Sequence, residues 1–192
     1  MRLPAMLLVL SFIPILASPA ELTIELRHDG GDLVSGALVY AVPDERTSAA
    51  EAPTATMDQL NRQFVPHVLA VQTGTAVQFP NSDNVRHQVY SFSRAKRFQI
   101  PLYEGMPPEP VVLDKPGVLT LGCNIHDRMS AYIVVVDTPY FAMTEDGKAT
   151  LTGLPAGSYS LHLWQPRAPA ASQAQRVTLE PSEKLLVTLQ TD

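Results

Sequence analysis

Three side chains able to hold a soft metal ion recur at equal spacing in "CNIHDRM", residues 123–129: the thiol of Cys123, the imidazole of His126 and the thioether of Met129. A second imidazole stands upstream at His87, just after "TAVQFPNSDNVR". A thiolate and two imidazoles in a plane, with a weak axial thioether, suit copper in both of its oxidation states. The chemistry that follows is single-electron transfer, because a frame that moves little between the two states keeps reorganisation small. Cys123 is the only cysteine of the chain, so it has no intramolecular disulfide partner. In an oxidising compartment a lone thiol must be buried, paired with another chain or bound to metal. His67, in "FVPHVLAV", is the rival for the second nitrogen, but alternation turns it away from the core.

The elements that must position these groups are strands. Helical periodicity is nearly absent, and period-two alternation marks "LTIEL" (22–26), "AVQF" (76–79), "VLTLGC" (118–123), "AYIVVV" (131–136), "YSLHLW" (159–164) and "KLLVTL" (184–189). Pro and Gly punctuate them in "HDGGD", "MPPEP", "DKPG", "EDGK" and "LPAG", a spacing expected of an all-β chain built from sandwiches. In "VLTLGC" one face carries Leu119, Leu121 and Cys123, which sends the thiol inward at the end of a buried strand. The next residues turn, "AYIVVV" runs back, and the loop between them presents Cys123, His126 and Met129 together. The strand through Val77 and Phe79 ends at Pro80-Asn81, so His87 follows a second turn that can meet the first at one end of a sandwich. The Pro-rich stretch from Pro101 to Pro116 reads as a connector, and "SAAEAPTAT" (48–56) as a linker or surface loop. His28 and His162 read as surface residues, and Trp164 as partly covered.

The first residues have the plan of an export signal. Met1 and Arg2 open it, Met6 to Leu16 is almost wholly apolar, and "ASPA" places small residues at Ser18 and Ala20 for cleavage after Ala20. That apolar run is shorter than the roughly 20 residues a membrane helix needs, and no other long apolar run exists. The expectation is a soluble periplasmic protein without an integral membrane segment. The formal net charge is −5, with 14 Lys and Arg against 19 Asp and Glu, and loss of Arg2 would make it more negative. A mildly acidic chain without a basic block is a poor ligand for nucleic acid. Enzymatic classes find no support. The five histidines contain no His-x-His pair for oxygen chemistry, and there is no Cys-x-x-Cys-His or His-Glu-x-x-His motif. A Cys123–His126 nucleophilic pair is conceivable, but an inward thiol leaves no evident substrate cleft. The expectation is therefore a non-enzyme.

The segment "FVPHVLAVQTGTAVQFPNSDNVRH" and the segment "DKPGVLTLGCNIHDRM" resemble the cupredoxins, the blue-copper family, and the short Cys-x-x-His-x-x-Met loop is similar to that of its amicyanin- and plastocyanin-like members. The whole chain is also similar to proteins labelled methylamine-utilisation proteins. The resemblance implies a Greek-key sandwich over residues 57–137, one type 1 copper ion held by His87, Cys123, His126 and Met129, and redox protein partners such as a dehydrogenase or a cytochrome. Two departures stand out. Cupredoxins often place Asn directly after the first ligand histidine to tie the two loops, where this chain has Gln88. Asp127 and Arg128 replace the apolar residues that amicyanins carry between histidine and methionine, which alters the surface a partner would meet. The flanks, 21–45 and 138–192, resemble the two halves of a transthyretin-like sandwich of the carboxypeptidase regulatory kind, on the strength of Gly36-Ala37 and Pro155-Ala156-Gly157. The middle would then be inserted into it. The alternative arrangement is two consecutive domains, with residues 21–45 adding strands to the middle sandwich. The alternative function is a non-redox cupredoxin-like binding module or a copper carrier.

Overall fold

The computed structural model describes residues 18–45, 53–107, 109–166 and 172–191. Among these no helix occurs, and the chain is all-β. The expected export signal lies almost wholly outside the described residues, and Ala20 already opens the first strand. Two strands precede the middle region: β1 (Ala20–His28) and β2 (Leu38–Pro43). The middle holds β3 (Thr54–Thr56), β4 (Asp58–Leu60), β5 (Gln63–Val65), β6 (Val68–Gln72), β7 (Ala76–Gln78), β8 (His87–Ser91), β9 (Phe98–Tyr103), β10 (Val111–Val112), β11 (Gly117–Gly122) and β12 (Ser130–Val136). Five more follow: β13 (Phe141–Met143), β14 (Lys148–Leu154), β15 (Gly157–Trp164), β16 (Ser172–Leu179) and β17 (Lys184–Thr191).

Each of the six segments expected from alternation forms a strand, with Phe79 and Cys123 lying one residue past the ends of β7 and β11. β1 and β2 pair with the C-terminal strands, in sheets ordered β14-β1-β17 and β13-β2-β15-β16. These two sheets close on one core, with Leu22, Ile24 and Leu26 of β1 against Val39 and Ala41 of β2 and Leu161 and Leu163 of β15. Residues 21–45 therefore add no strand to the middle sheets. The middle forms a sheet ordered β6-β12-β11-β8-β9, a second ordered β10-β7-β3 and the β4-β5 hairpin. Their shared core runs from Met57 and Phe79 through Leu119, Leu121 and Cys123 to Ala131, Ile133 and Val135.

Two stretches expected to be irregular contribute strands. Thr54–Thr56, from the expected linker, lies parallel to β7. Pro101 to Pro116, expected as a connector, carries the end of β9 and all of β10. Proline is tolerated there because β9 is an edge strand, where a missing N–H leaves no ladder bond unmade.

β12 explains its own sequence. A strand with one face in water alternates, whereas one covered on both faces reads as a continuous apolar run. Ala131, Ile133 and Val135 point into the middle core. Val134 and Val136 point the other way, into a second cluster with Leu38 of β2, flanked by Tyr40, Phe141, Met143 and Trp164. Tyr132 meets the Trp164 ring at 5.4 Å on that face. His162, expected at the surface, is half-buried and stacks on Tyr40 at 5.0 Å. The two cores thus share a seam, and Leu38, fully buried in it, is a direct probe. Leu38→Ala is expected to lower unfolding free energy by about 2–5 kcal/mol, read as a fall in the urea midpoint at unchanged slope.

Candidate metal centre

β11 ends at Gly122, and the next residue is Cys123, a free cysteine 4% exposed. The loop after it closes two successive turns. The N–H of His126 donates to the carbonyl of Cys123 at 3.4 Å, and that of Met129 donates to the carbonyl of His126 at 2.8 Å. A turn closed between residues three apart brings its ends close together, which is the local reason for the Cys-x-x-His-x-x-Met spacing. Met129 is buried in the same hydrophobic cluster as Cys123.

The second histidine arrives through the sheet. β8 pairs with β11 at Gly122 and Tyr90, so the antiparallel run-back sets His87, the first residue of β8, beside the cysteine loop. His87 is fully buried. Its Nδ1 stands 3.9 Å from Cys123 Sγ, and Nδ1 of His126 stands 3.8 Å from the same sulfur. The two imidazole centroids are 4.9 Å apart. His126 is half-buried and Asp127 and Arg128 are exposed beside it. His67 is exposed and edge-on to Tyr132 at 5.7 Å, outside this group.

Whether these donors fit one ion can be tested on their spacing. A first-row metal with bonds of about 2.3 Å to sulfur and about 2.0–2.1 Å to nitrogen, opened to about 120°, sets the two donors about 3.8 Å apart. Both sulfur–nitrogen distances agree with that value, and the three donor atoms all lie within 4.8 Å of one another. Among the described residues no other group of histidine, cysteine and carboxylate side chains converges in this way.

Several neighbours hold the donors in place. Gln88, buried at the position where an Asn was expected, accepts a 3.0 Å hydrogen bond from the side-chain amide of Asn124. The two loops are therefore tied after all, by a longer side chain meeting an Asn in the cysteine loop. His87 Nε2 stands 3.0 Å from Asp83 Oδ2. That hydrogen bond, with the backbone N–H of Arg62, holds the Asp83 carboxyl below the usual carboxylate range. Behind them, the Tyr103 hydroxyl donates to the Phe79 carbonyl at 2.6 Å and accepts from Gln59. Burial, with the Asp58 charge as a lesser cause, pushes the Tyr103 hydroxyl up to about 12. Sequence reading did not assign roles to Asp83 or Tyr103. The Asp83–His87 spacing of four residues was the available signal, but in a loop such spacing has no fixed meaning.

The inward thiol expected from alternation is observed, with Cys123 only 4% exposed. An open groove of about 530 Å³, lined in part by Tyr90, Phe92, Thr120, Asn124 and Met129, passes beside Cys123. The groove also shows why glycine precedes the cysteine. A Cβ on Gly122 would lie 2.5 Å from the Tyr90 ring, so any larger residue there would have to push that ring aside.

No protein-family model matches the chain, and no curated protein matches it. Among solved structures, it is similar to a purple cupredoxin from Nitrosopumilus maritimus, with 21% identity over 43% of this chain and 99% of that one, at a TM-score of 0.39. It is similar to a copper-containing nitrite reductase from Thermus scotoductus SA-01, with 25% identity over 50% of this chain and 26% of that one, at 0.42. A reduced amicyanin variant shares 17% identity over 50% of this chain and 99% of its own, at 0.39.

Gly122→Val is expected to cost about 1–3 kcal/mol through overpacking. Adding Tyr90→Ala should return most of that loss, because it removes the ring the new side chain meets. A double-mutant cycle by urea unfolding measures the coupling, and strict additivity would contradict the assigned contact.

Proposed function

We infer that this chain is a cupredoxin-type copper protein that passes single electrons between redox partners in the periplasm. One observation carries the reading: a buried thiol with two imidazole Nδ1 atoms at 3.8 and 3.9 Å, a spacing that fits one trigonally bound ion. His87, Cys123 and His126 would hold the copper, and Met129, buried in the same cluster, would add a weakly held sulfur. When bound, copper supplies a one-electron couple whose thiolate bond gives intense colour.

The chain's own residues account for the rest. Cys123 must give up its proton to bind, and its position in the core keeps it from solvent and from other thiols. His87, fully buried, excludes water from the inner side. His126 turns Nδ1 toward the sulfur, so the opposite edge of this half-buried ring offers the short route for an electron to leave. The surface around it combines exposed Ile125 with Asp127 and Arg128. A partner, such as a dehydrogenase or cytochrome, would dock there on a small apolar spot with charges of both signs. Ladder bonds between β11 and β12 and the Gln88–Asn124 tie keep the donor frame stiff, as small reorganisation requires.

We further infer that residues 57–137 are a cupredoxin domain inserted between two parts of a transthyretin-like sandwich, residues 21–45 and 138–192. Export would follow cleavage after Ala20. The shared core of the flanking strands supports the two-part sandwich. Among the described residues no helix is long and apolar enough to cross a membrane.

The mature chain given one equivalent of Cu(II) is expected to become intensely coloured and to show a reversible one-electron couple. Cys123→Ser should abolish the colour while the fold, followed by circular dichroism, persists. A colourless protein at full copper occupancy overturns the reading, and tight Cu(I) binding without a reversible couple would make the chain a copper carrier instead.

A further inference from the structure

Asp83 meets His87 on the side away from the sulfur. With Nδ1 of His87 facing Cys123 at 3.9 Å, Nε2 faces Asp83 Oδ2 at 3.0 Å. The His87 ring has no exposed surface, so water does not supply the partner that a buried ring nitrogen requires. The carboxylate meets that requirement. As an acceptor it holds the ring proton on Nε2 and leaves the lone pair on Nδ1, the atom turned toward the sulfur.

Two backbone donors fix the carboxylate itself, and a third bond fixes the Asp83 backbone. Oδ2 also accepts the backbone N–H of Arg62 at 2.8 Å, and Oδ1 accepts that of Asn84 at 3.0 Å. The backbone N–H of Asp83 donates to Asn81 Oδ1 at 3.1 Å, and the Asn81 amide donates to the carbonyls of Val85 and Tyr103. Arg62 reaches Asp83 from the β4-β5 turn, where Asn61 and Arg62 both have positive φ, 54° and 58°. A bulky residue there is uncommon, and this conformation is the one whose N–H reaches the carboxylate. The Asp83 side chain is only 10% exposed, so little solvent screens its charge.

We propose that Asp83 is a positioning residue that fixes the tautomer of His87 and lowers the reduction potential of the copper centre. This deepens the preceding reading and rests on it. Cu(II) with the Cys123 thiolate and the Asp83 carboxylate sums to a formally neutral cluster, whereas Cu(I) with the same groups is formally negative. In a site shielded from water the uncompensated negative charge is the costlier state, so the carboxylate favours the oxidised form. A neutral acceptor of the same shape would hold the ring without that bias.

The test uses the copper-loaded chain and compares wild type, Asp83→Asn and Glu104→Gln. Glu104 is an exposed carboxylate 3.9 Å from Arg86 and controls for surface charge. Asp83→Asn is expected to shift the ratio of Cu(II) to Cu(I) affinity about tenfold toward Cu(I), a rise of about 59 mV for one electron. Glu104→Gln should move it by less than a third of that. A second readout needs no variant. In the Cu(I) form, ¹⁵N NMR of the wild type should find His87 protonated at Nε2 and bare at Nδ1. An Asp83→Asn potential no different from that of Glu104→Gln overturns the proposal, as does the opposite tautomer. Either result leaves the copper reading intact when the wild type keeps its colour and reversible couple. A wild type that takes up no copper overturns both.

Discussion

For a sulfur and an imidazole nitrogen to share one ion, the backbones that carry them must run side by side. Neighbouring strands lie about 4.8 Å apart with side chains projecting above and below the sheet, so the register of the pairing decides which donors meet. At Gly122 the absence of a side chain admits the Tyr90 ring, and the single pairing between those residues sets β8 beside the end of β11. The placement of His87 follows from it, as does the direction in which Cys123 faces. Because side chains alternate along a strand, a slip of one residue would turn the thiol to the other face. The donor set is thus a product of strand register as much as of residue type.

The parts of the architecture written in local pattern were legible in the sequence. Leu119, Leu121 and Cys123 alternate inward because β11 has one covered face, and the turn repeat in residues 123–129 needs only its own seven residues. The pairing of β1 and β2 with strands more than a hundred residues away was readable only from turn grammar in the flanks. Other features required loops to meet that no pattern brings together. Asp83 gains its meaning from Arg62 and His87, which lie on different turns. Gln88 looked like a departure because its partner, Asn124, sits in the other loop. Proline misled over residues 101–116, since an edge strand tolerates what a central strand does not.

Electrostatics divide the site into two sides. The inner side is shielded, with a fully buried imidazole braced by a carboxylate that two backbone N–H groups hold in turn. The outer side is wet, with Asp127 and Arg128 beside the half-buried His126. Charges on the outer side are screened by salt within about 10 Å and can steer an encounter, while a charge on the inner side acts on the ion itself. On the proposed reading the two roles fall to different residues, so a docking surface and the energetics of a bound ion could vary separately.

β12 belongs to two cores at once, and this has a practical side for anyone who wishes to isolate the middle region. Cutting it out as a stand-alone piece would leave Val134, Val136 and the Tyr132 ring, now covered by Leu38, Phe141 and Trp164, facing solvent as one greasy sheet surface. Such a fragment would tend to self-associate or precipitate even with a sound ion-binding loop, and a minimal soluble version would need those outward positions rewritten with polar side chains.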